Sequence, residues 1–138
     1  MELISTKICK TGDIGVNNNL FGGTMLSWMD EAGGAYAAAK CCSPNMITLK
    51  VDAVIFKKPI KVKEHIKIYG EVLNIGHSSI KILVEAKRIN FRNDEEESVC
   101  STEMLFVKID ENGKATPIDD CIKFNSLKNN SNESCKKI

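Results

Sequence analysis

The residue in this sequence best suited to chemistry is Asp30, an acid in the middle of a predicted helix. The residues one turn away on either side are small, apolar or hydroxylic, namely Leu26, Ser27, Gly33 and Gly34. No basic side chain stands at helical spacing to pair with the carboxylate, and aspartate is a poor helix former. A buried carboxylate without a cation is costly unless something else binds it, and such groups are often functional. We therefore predict a general base or a nucleophile at Asp30. The alternative is a carboxylate that hydrogen-bonds the backbone of a neighbouring chain.

A second feature with chemical potential is the pair Gly22-Gly23, where the same helix begins. The first N–H groups of a helix have no partner within it and carry a partial positive charge. Glycine has no Cβ, so a ligand carbonyl can approach these groups closely. The pair can therefore hold the oxyanion that forms when a carbonyl is attacked, although a Gly-Gly helix start is more often only structural. Glu31 follows Asp30 but is rotated by about 100° of helix, so we interpret it as a rim residue.

The elements that must position these residues are one helix and a series of strands. The helix is predicted over 22–40, and it is small or apolar over most of its circumference, which is typical of a buried helix. Its glycines at 33 and 34 indicate that another backbone approaches closely there. Runs of alternating hydrophobicity predict strands at 2–9, 47–56, 66–72, 80–86 and 100–109. Because short connections join the later runs, the sheet is predicted to be antiparallel and the fold class to be α+β.

Composition and length exclude several classes of function. The 138 residues carry a net charge of +1 and are 43% hydrophobic, which fits an ordinary globular domain and gives no electrostatic footprint for nucleic acid. No run approaches the roughly 18 apolar residues of a membrane span, and no secretory signal is visible, so a cytoplasmic location is expected. The domain is assigned to residues 1–123, and the polar tail at 124–138 is expected to be disordered.

The six cysteines form no CxxC pair, and only two histidines, His65 and His77, are present to join them. Metal sites need closely spaced ligand pairs, so no metal site is predicted. The cysteines are instead expected to be reduced thiols, several of them buried.

Four stretches of the sequence together resemble one protein family. They are FGGTMLSWMDEAGG, VDAVIFKKPIKV, YGEVLNIGHSSI and FVKIDENGKATPI, and they occur in this order between about Leu3 and Ile118. These stretches resemble the acyl-CoA thioesterases of the hotdog superfamily, in particular the bacterial YciA-type hydrolases, which are similar to the brain-type acyl-CoA hydrolases. The resemblance implies a long central helix wrapped by a five-stranded antiparallel sheet. It also implies dimers paired edge to edge, commonly assembled into hexamers as trimers of dimers, with active sites at the dimer interface.

The resemblance also assigns roles in the hydrolysis of an acyl-CoA to a free acid and CoA. Asp30 takes the place of the catalytic aspartate, and Gly22 and Gly23 supply N–H groups to the thioester carbonyl. The family tends to use an asparagine in the preceding loop, but this chain has Gly15 where that residue usually stands. Asn17 matches another asparagine often seen in that loop and is the candidate for the role.

For the nucleotide of coenzyme A, the resemblance points to a basic residue after the central strand and to a later turn. The positions in this chain are Lys58, which precedes a proline, and the turn residues His77, Ser78 and Ser79. Ammonium and hydroxyl groups suit phosphate, although each position also fits an exposed turn residue. Coenzyme A is expected as part of the substrate and product, and no separate cofactor is expected.

Two other functions fit the same resemblance. A hotdog dehydratase acting on a hydroxyacyl thioester would place a histidine beside the acid, and neither His65 nor His77 lies near the helix motif in the sequence. A non-catalytic acyl-CoA sensor would bind its ligand without turnover, but binding alone has no need of a buried base at Asp30. Hydrolysis is therefore the leading hypothesis. The sequence leaves open whether Asp30 activates water or attacks the thioester directly, and it does not give the length of the acyl chain.

Overall fold

The computed structural model describes residues 1–119, so the predicted domain boundary at 123 and the tail at 124–138 lie outside the described residues. The elements follow the predicted order of one strand, one helix and then further strands. They are β1 (Glu2–Ile8), α1 (Gly22–Cys41), β2 (Met46–Val51), β3 (Ile55–Phe56), β4 (His65–Ile75), β5 (Ser79–Asn90) and β6 (Glu95–Lys108), with a short 3₁₀ turn at Thr11–Asp13.

The strands form one antiparallel sheet in the order β1-β4-β5-β6-β2, and the two-residue strand β3 pairs with β6. The prediction of one continuous strand over 47–56 is wrong, because the chain leaves the sheet after Val51 and rejoins it at β3. At the break the Thr102 hydroxyl donates to the Asp52 carbonyl at 2.7 Å, so a side chain satisfies a backbone group that a continuous strand would have paired. Strand β2 ends the sheet order, so within the described residues its outer edge has no partner strand.

Helix α1 lies across one face of this sheet and forms the core with it. The period-two alternation of the long strands directs every second side chain towards the helix. The fully buried strand residues include Ile66, Ile68, Ile80, Ile82, Val84, Met104 and Phe106. Met25 and Met29 of the helix are equally buried. On the opposite side of the helix, every fourth residue is exposed, namely Gly23, Ser27, Glu31, Ala35 and Ala39. The prediction of a helix buried on most sides therefore holds for its sheet-facing side only.

The two glycines in the middle of α1 differ in their surroundings. A Cβ on Gly33 would lie 3.2 Å from both Met104 Sδ and Phe106 Cζ and 3.3 Å from Val84 Cγ2. A Cβ on Gly34 would meet only Phe106 Cε1 at the ordinary distance of 3.6 Å. The prediction that another backbone approaches both glycines is wrong. Side chains of the sheet fill the space at Gly33, whereas Gly34 has room for a methyl group.

We expect Gly33→Ala to unfold more easily than Gly34→Ala, by about 1–3 kcal/mol in the free energy of unfolding. Both substitutions bring the same gain in helix propensity, so this gain cancels and the difference isolates the packing at Gly33. Denaturant unfolding of the two variants at equal protomer concentration measures it. Equal unfolding free energies would mean that the core makes room for the methyl group and would contradict the expectation.

No helix within residues 1–119 combines the length and the apolar character that a membrane crossing requires. In the same range, no three histidine, cysteine, aspartate or glutamate side chains gather closely enough to hold a metal ion.

Candidate active site

The carboxylate of Asp30 lies where α1 passes beneath the edge strand β2. Its Oδ1 accepts a hydrogen bond of 2.6 Å from the Thr48 hydroxyl. Both side chains line a surface depression of about 350 Å³, together with Gly23, Leu26, Ser27 and Val51. Within the described residues Asp30 has no ion pair, as its sequence neighbours indicated.

Asp30, expected from the sequence to be a buried carboxylate, is partly exposed in the isolated chain. The physical reason is its place at the border of the sheet, because β2 is the last strand and leaves one side of the depression open. A carboxylate held by a hydroxyl group and free of any cation keeps one oxygen available to a substrate or a water molecule.

Thr48 is a site residue that the sequence reasoning missed. It lies 18 residues beyond Asp30, on a strand where Ile47, Leu49 and Val51 supply the apolar pattern. The register with β6 shifts between Thr48 and Lys50, which marks a bulge at the point where Thr48 meets Asp30. The sequence contains no signal for this role, because an alternating strand predicts a polar residue at position 48, as it does at Lys50.

We expect Thr48→Val to lower kcat about ten-fold with little change in KM, because the isosteric side chain can no longer orient the Asp30 carboxylate. Thr48→Ser restores the hydroxyl and should restore most of kcat. Steady-state kinetics on both variants, with a check of their assembly by gel filtration, measures the effect. If the serine variant is as slow as the valine variant, Thr48 acts through packing rather than through its hydroxyl.

The start of α1 presents free backbone donors, as predicted. The Phe21 carbonyl accepts the N–H groups of Thr24 and Met25 at 2.9 and 3.1 Å. The N–H groups of Gly22 and Gly23 donate no hydrogen bond within the described residues. A Cβ at Gly23 would lie 2.7 Å from the Phe21 ring, so only glycine fits beneath that ring in its present position.

The other predicted site residues are spread over the molecule. Asn17 and Glu31 are exposed, and neither side chain makes a hydrogen bond or an ion pair within the described residues. Lys58 lies near the helix start, lines a cavity with Gly22, and pairs with Glu97 at 3.2 Å.

The turn of His77, Ser78 and Ser79 lies at the far end of the sheet, where Ser79 pairs with Val107. The ten residue steps along β6 from Glu97 to Val107 span roughly 33 Å, at about 3.3 Å per step. A single chain therefore does not bring Lys58 and the His77 turn together.

Two of the buried cysteines, Cys41 and Cys100, are poor candidates for a nucleophile. Burial raises the pKa of the Cys41 thiol to about 11 and that of the Cys100 thiol likewise to about 11. Thiolate is the nucleophilic form, so both side chains are unreactive thiols at neutral pH. The four cysteines within residues 1–119 are all free of disulfide bonds.

Comparison with known proteins assigns this chain to a family. Residues 17–92 match the model of the family described as "Thioesterase superfamily". The chain belongs to that superfamily. An uncharacterized acyl-CoA thioester hydrolase of Haemophilus influenzae is 34% identical over 119 residues, which cover 84% of this chain and 77% of that protein. The acyl-CoA thioester hydrolase YciA of Salmonella typhimurium is 28% identical over 120 residues, covering 85% of this chain and 90% of the relative.

The comparison with solved structures agrees with the sequence relatives. The aspartate-to-alanine variant of a hexameric broad specificity acyl-coenzyme A thioesterase superposes with a TM-score of 0.83 at 29% identity, covering 91% of each chain. The predicted resemblance to YciA-type thioesterases and the predicted hotdog fold are both confirmed. The sheet of the present chain contains the five strands that were expected and, in addition, the short strand β3.

Proposed function

We propose that this thioesterase hydrolyses acyl-CoA to a free acid and CoA, with Asp30 as the catalytic carboxylate. The observation that carries the proposal is a carboxylate held by a hydroxyl group and not by a cation, at an open edge of the sheet and on the helix whose first N–H groups are free. Those N–H groups suit the thioester oxygen, on which negative charge develops during attack. The known relatives that carry this activity support the same substrate class.

The spacing of the two parts of the proposed site along α1 favours a site that two chains share. Gly22 and Asp30 are eight residues apart on α1, which is about 12 Å along the helix axis, and Gly23 is about 10 Å from Asp30. Attack requires the reacting atoms within about 3–3.5 Å of each other. We therefore propose that a thioester carbonyl on the N–H groups of one chain meets the carboxylate of another chain.

The free edge of β2 is the surface on which that second chain would lie. Within residues 1–119 no strand pairs with this edge, and the side chains of Ile47, Leu49 and Val51 are 45%, 61% and 37% exposed. A long apolar edge strand of this kind is a template for pairing with another chain. A two-fold axis across identical edges gives an antiparallel pair and two equivalent sites. The hexameric structural relative supports a trimer of such dimers.

The reaction then proceeds in one of two ways. Asp30 accepts a proton from a water molecule as the water attacks the thioester carbon, or its carboxylate attacks that carbon and forms a mixed anhydride that water hydrolyses. In both routes the carbon–sulfur bond breaks, CoA leaves as a thiolate that takes up a proton, and the acid is released. No further cofactor is needed for these steps.

The nucleotide part of CoA extends the proposed site beyond the reacting atoms. Lys58 lies near the helix start, and the turn of His77, Ser78 and Ser79 lies roughly 33 Å away along β6, so any CoA that contacts both does so through different subunits. The free thiols support a reducing compartment, and the cytoplasm is the location we propose.

A thiol-release assay with acyl-CoAs of increasing chain length tests the proposed function. We expect release of free CoA from at least one class of acyl-CoA. Binding across the whole panel without thiol release would favour the sensor, and reversible loss of water from a hydroxyacyl-CoA without thiol release would favour the dehydratase. Either result would reject hydrolysis.

A further inference from the structure

The structure contains a buried hydrogen-bond acceptor that no role described above uses. Asn19 Oδ1 is shielded from solvent and has no hydrogen-bond partner, and no other side-chain nitrogen or oxygen within the described residues is in that position. Buried polar groups in proteins are almost always paired. This exception indicates that a hydrogen-bond donor from a ligand binds at Asn19.

The backbone around Asn19 is held in place, so the side chain cannot move away with its loop. The Asn19 carbonyl accepts the Gly15 N–H at 2.8 Å. The next residue, Leu20, donates its N–H to the Ile60 carbonyl, also at 2.8 Å. The backbone at Asn19 is thus fixed three residues before the helix start at Gly22, and rotation of the side chain about its own bonds is what brings the acceptor to a ligand.

Asn19 and Gly22 line the same cavity, which has a volume of about 280 Å³. The walls of this cavity are mainly apolar and include Met25, Phe56, Ile60, Val99 and Cys100. Its lining also includes the exposed residues Lys57 and Lys58. The lining therefore combines a residue with an unpaired acceptor, a residue with a free N–H group, apolar side chains and two lysines.

The chemistry of this cavity matches the pantetheine arm of coenzyme A. In that arm two methylene groups separate the thioester sulfur from an amide N–H, and the rest of the arm leads to phosphates. A saturated acyl chain has no donor for Asn19 and gives the lysines no anion to bind.

We propose that Asn19 Oδ1 accepts a hydrogen bond from the amide N–H nearest the sulfur of acyl-CoA, while the thioester carbonyl lies on the Gly22 N–H group. This inference rests on the proposed function and adds a residue that recognises the thiol part of the substrate. The acyl group then extends away from this cavity. In this role Asn19 is distinct from the exposed Asn17.

A pair of short substrates tests the proposal without any change to the protein. One is the acyl thioester of N-acetylcysteamine, and the other is the matching thioester of 2-mercaptoethyl acetate, in which an oxygen replaces the amide N–H. A site built to bind an N–H group discriminates against the analogue that lacks it. We expect the wild-type enzyme to prefer the amide about ten-fold in kcat/KM, after correction for the alkaline hydrolysis rates of the two compounds.

Asn19→Leu should reduce the ratio of the two kcat/KM values to nearly one, because leucine is similar in size to asparagine but has no acceptor. Asn19→Ala should have the same effect. Because each value is a ratio of two substrates on one protein, a loss of folded enzyme affects both rates equally. Equal rates with the two substrates in the wild-type enzyme would overturn the proposal, even if neither variant folds. The same holds if Asn17→Leu, and not Asn19→Leu, removes the preference, or if the Asn19 variants keep it.

Failure of this inference is distinguishable from failure of the proposed function. A wild-type enzyme that releases CoA from acyl-CoA but treats the two short substrates alike retains its function and rejects the role of Asn19. A wild-type enzyme that releases no thiol from any acyl-CoA rejects both.

Discussion

Asp30→Asn should lower kcat for acyl-CoA hydrolysis by about 10²–10⁴-fold, the range expected when a general base is lost. The amide is nearly isosteric and can still accept the hydrogen bond from Thr48, so the geometry of the site is kept while the base or nucleophile disappears. Release of free thiol measures the rate, and gel filtration measures assembly.

The neighbouring acid provides the matched control for this variant. Glu31 is exposed and has no hydrogen bond or ion pair within the described residues, so Glu31→Gln should stay close to the wild-type rate. Near wild-type turnover in a folded and assembled Asp30→Asn enzyme would reject the role of Asp30. If Glu31→Gln lost activity as well, the loss in Asp30→Asn would be due to the change of charge on the helix and not to the position of Asp30.

The second large effect is expected at the helix start, from Gly22→Pro. Gly22 is the first residue of α1, where proline is well tolerated because its missing N–H is not needed for the helix. The preceding residue Phe21 has φ −66° and ψ 132°, the extended conformation that a following proline favours. The substitution therefore removes one donor for the oxyanion and leaves the helix intact. We expect kcat to fall by about 10²–10³-fold.

Gly22→Ala is the control, because it keeps the N–H group and adds only a methyl group. Its Cβ would meet Phe56 Cζ at 3.4 Å, so little rearrangement is needed. The alanine variant should stay much closer to the wild-type rate than the proline variant, as measured by thiol release at saturating substrate. Equal rates for the two variants would show that the Gly22 N–H does not contact the reacting carbonyl.

The two inactive variants together test whether the site is shared between chains. In a mixed dimer of Asp30→Asn and Gly22→Pro chains, one site carries both substitutions and the other carries neither. Random pairing of equal amounts should therefore recover about one quarter of the wild-type activity. If each chain contained its own complete site, every site would carry one substitution and co-expression would recover nothing.

The sequence determined the local features of this thioesterase and pointed to its candidate acid. Helical spacing placed Asp30 on α1 without a basic partner, and the glycines at the start of the helix indicated free N–H groups. Alternating hydrophobicity predicted the long strands, because a strand with one buried face must repeat every second residue. The family resemblance rested on these same stretches, since they combine the helix start, the acid and the strand turns.

Only the tertiary structure decided which residues meet across the chain. Thr48 reaches Asp30 because the pairing of β2 with β6 sets the position of β2 over the helix, and alternation specifies a face but not a register. The exposure of Asp30 and the separation of Lys58 from His77 follow from the order of strands, which hydrophobic pattern does not encode. The unpaired acceptor of Asn19 depends on how loop, helix and strand close around one cavity. Such contacts are long-range, so their geometry exists only once the whole sheet has assembled.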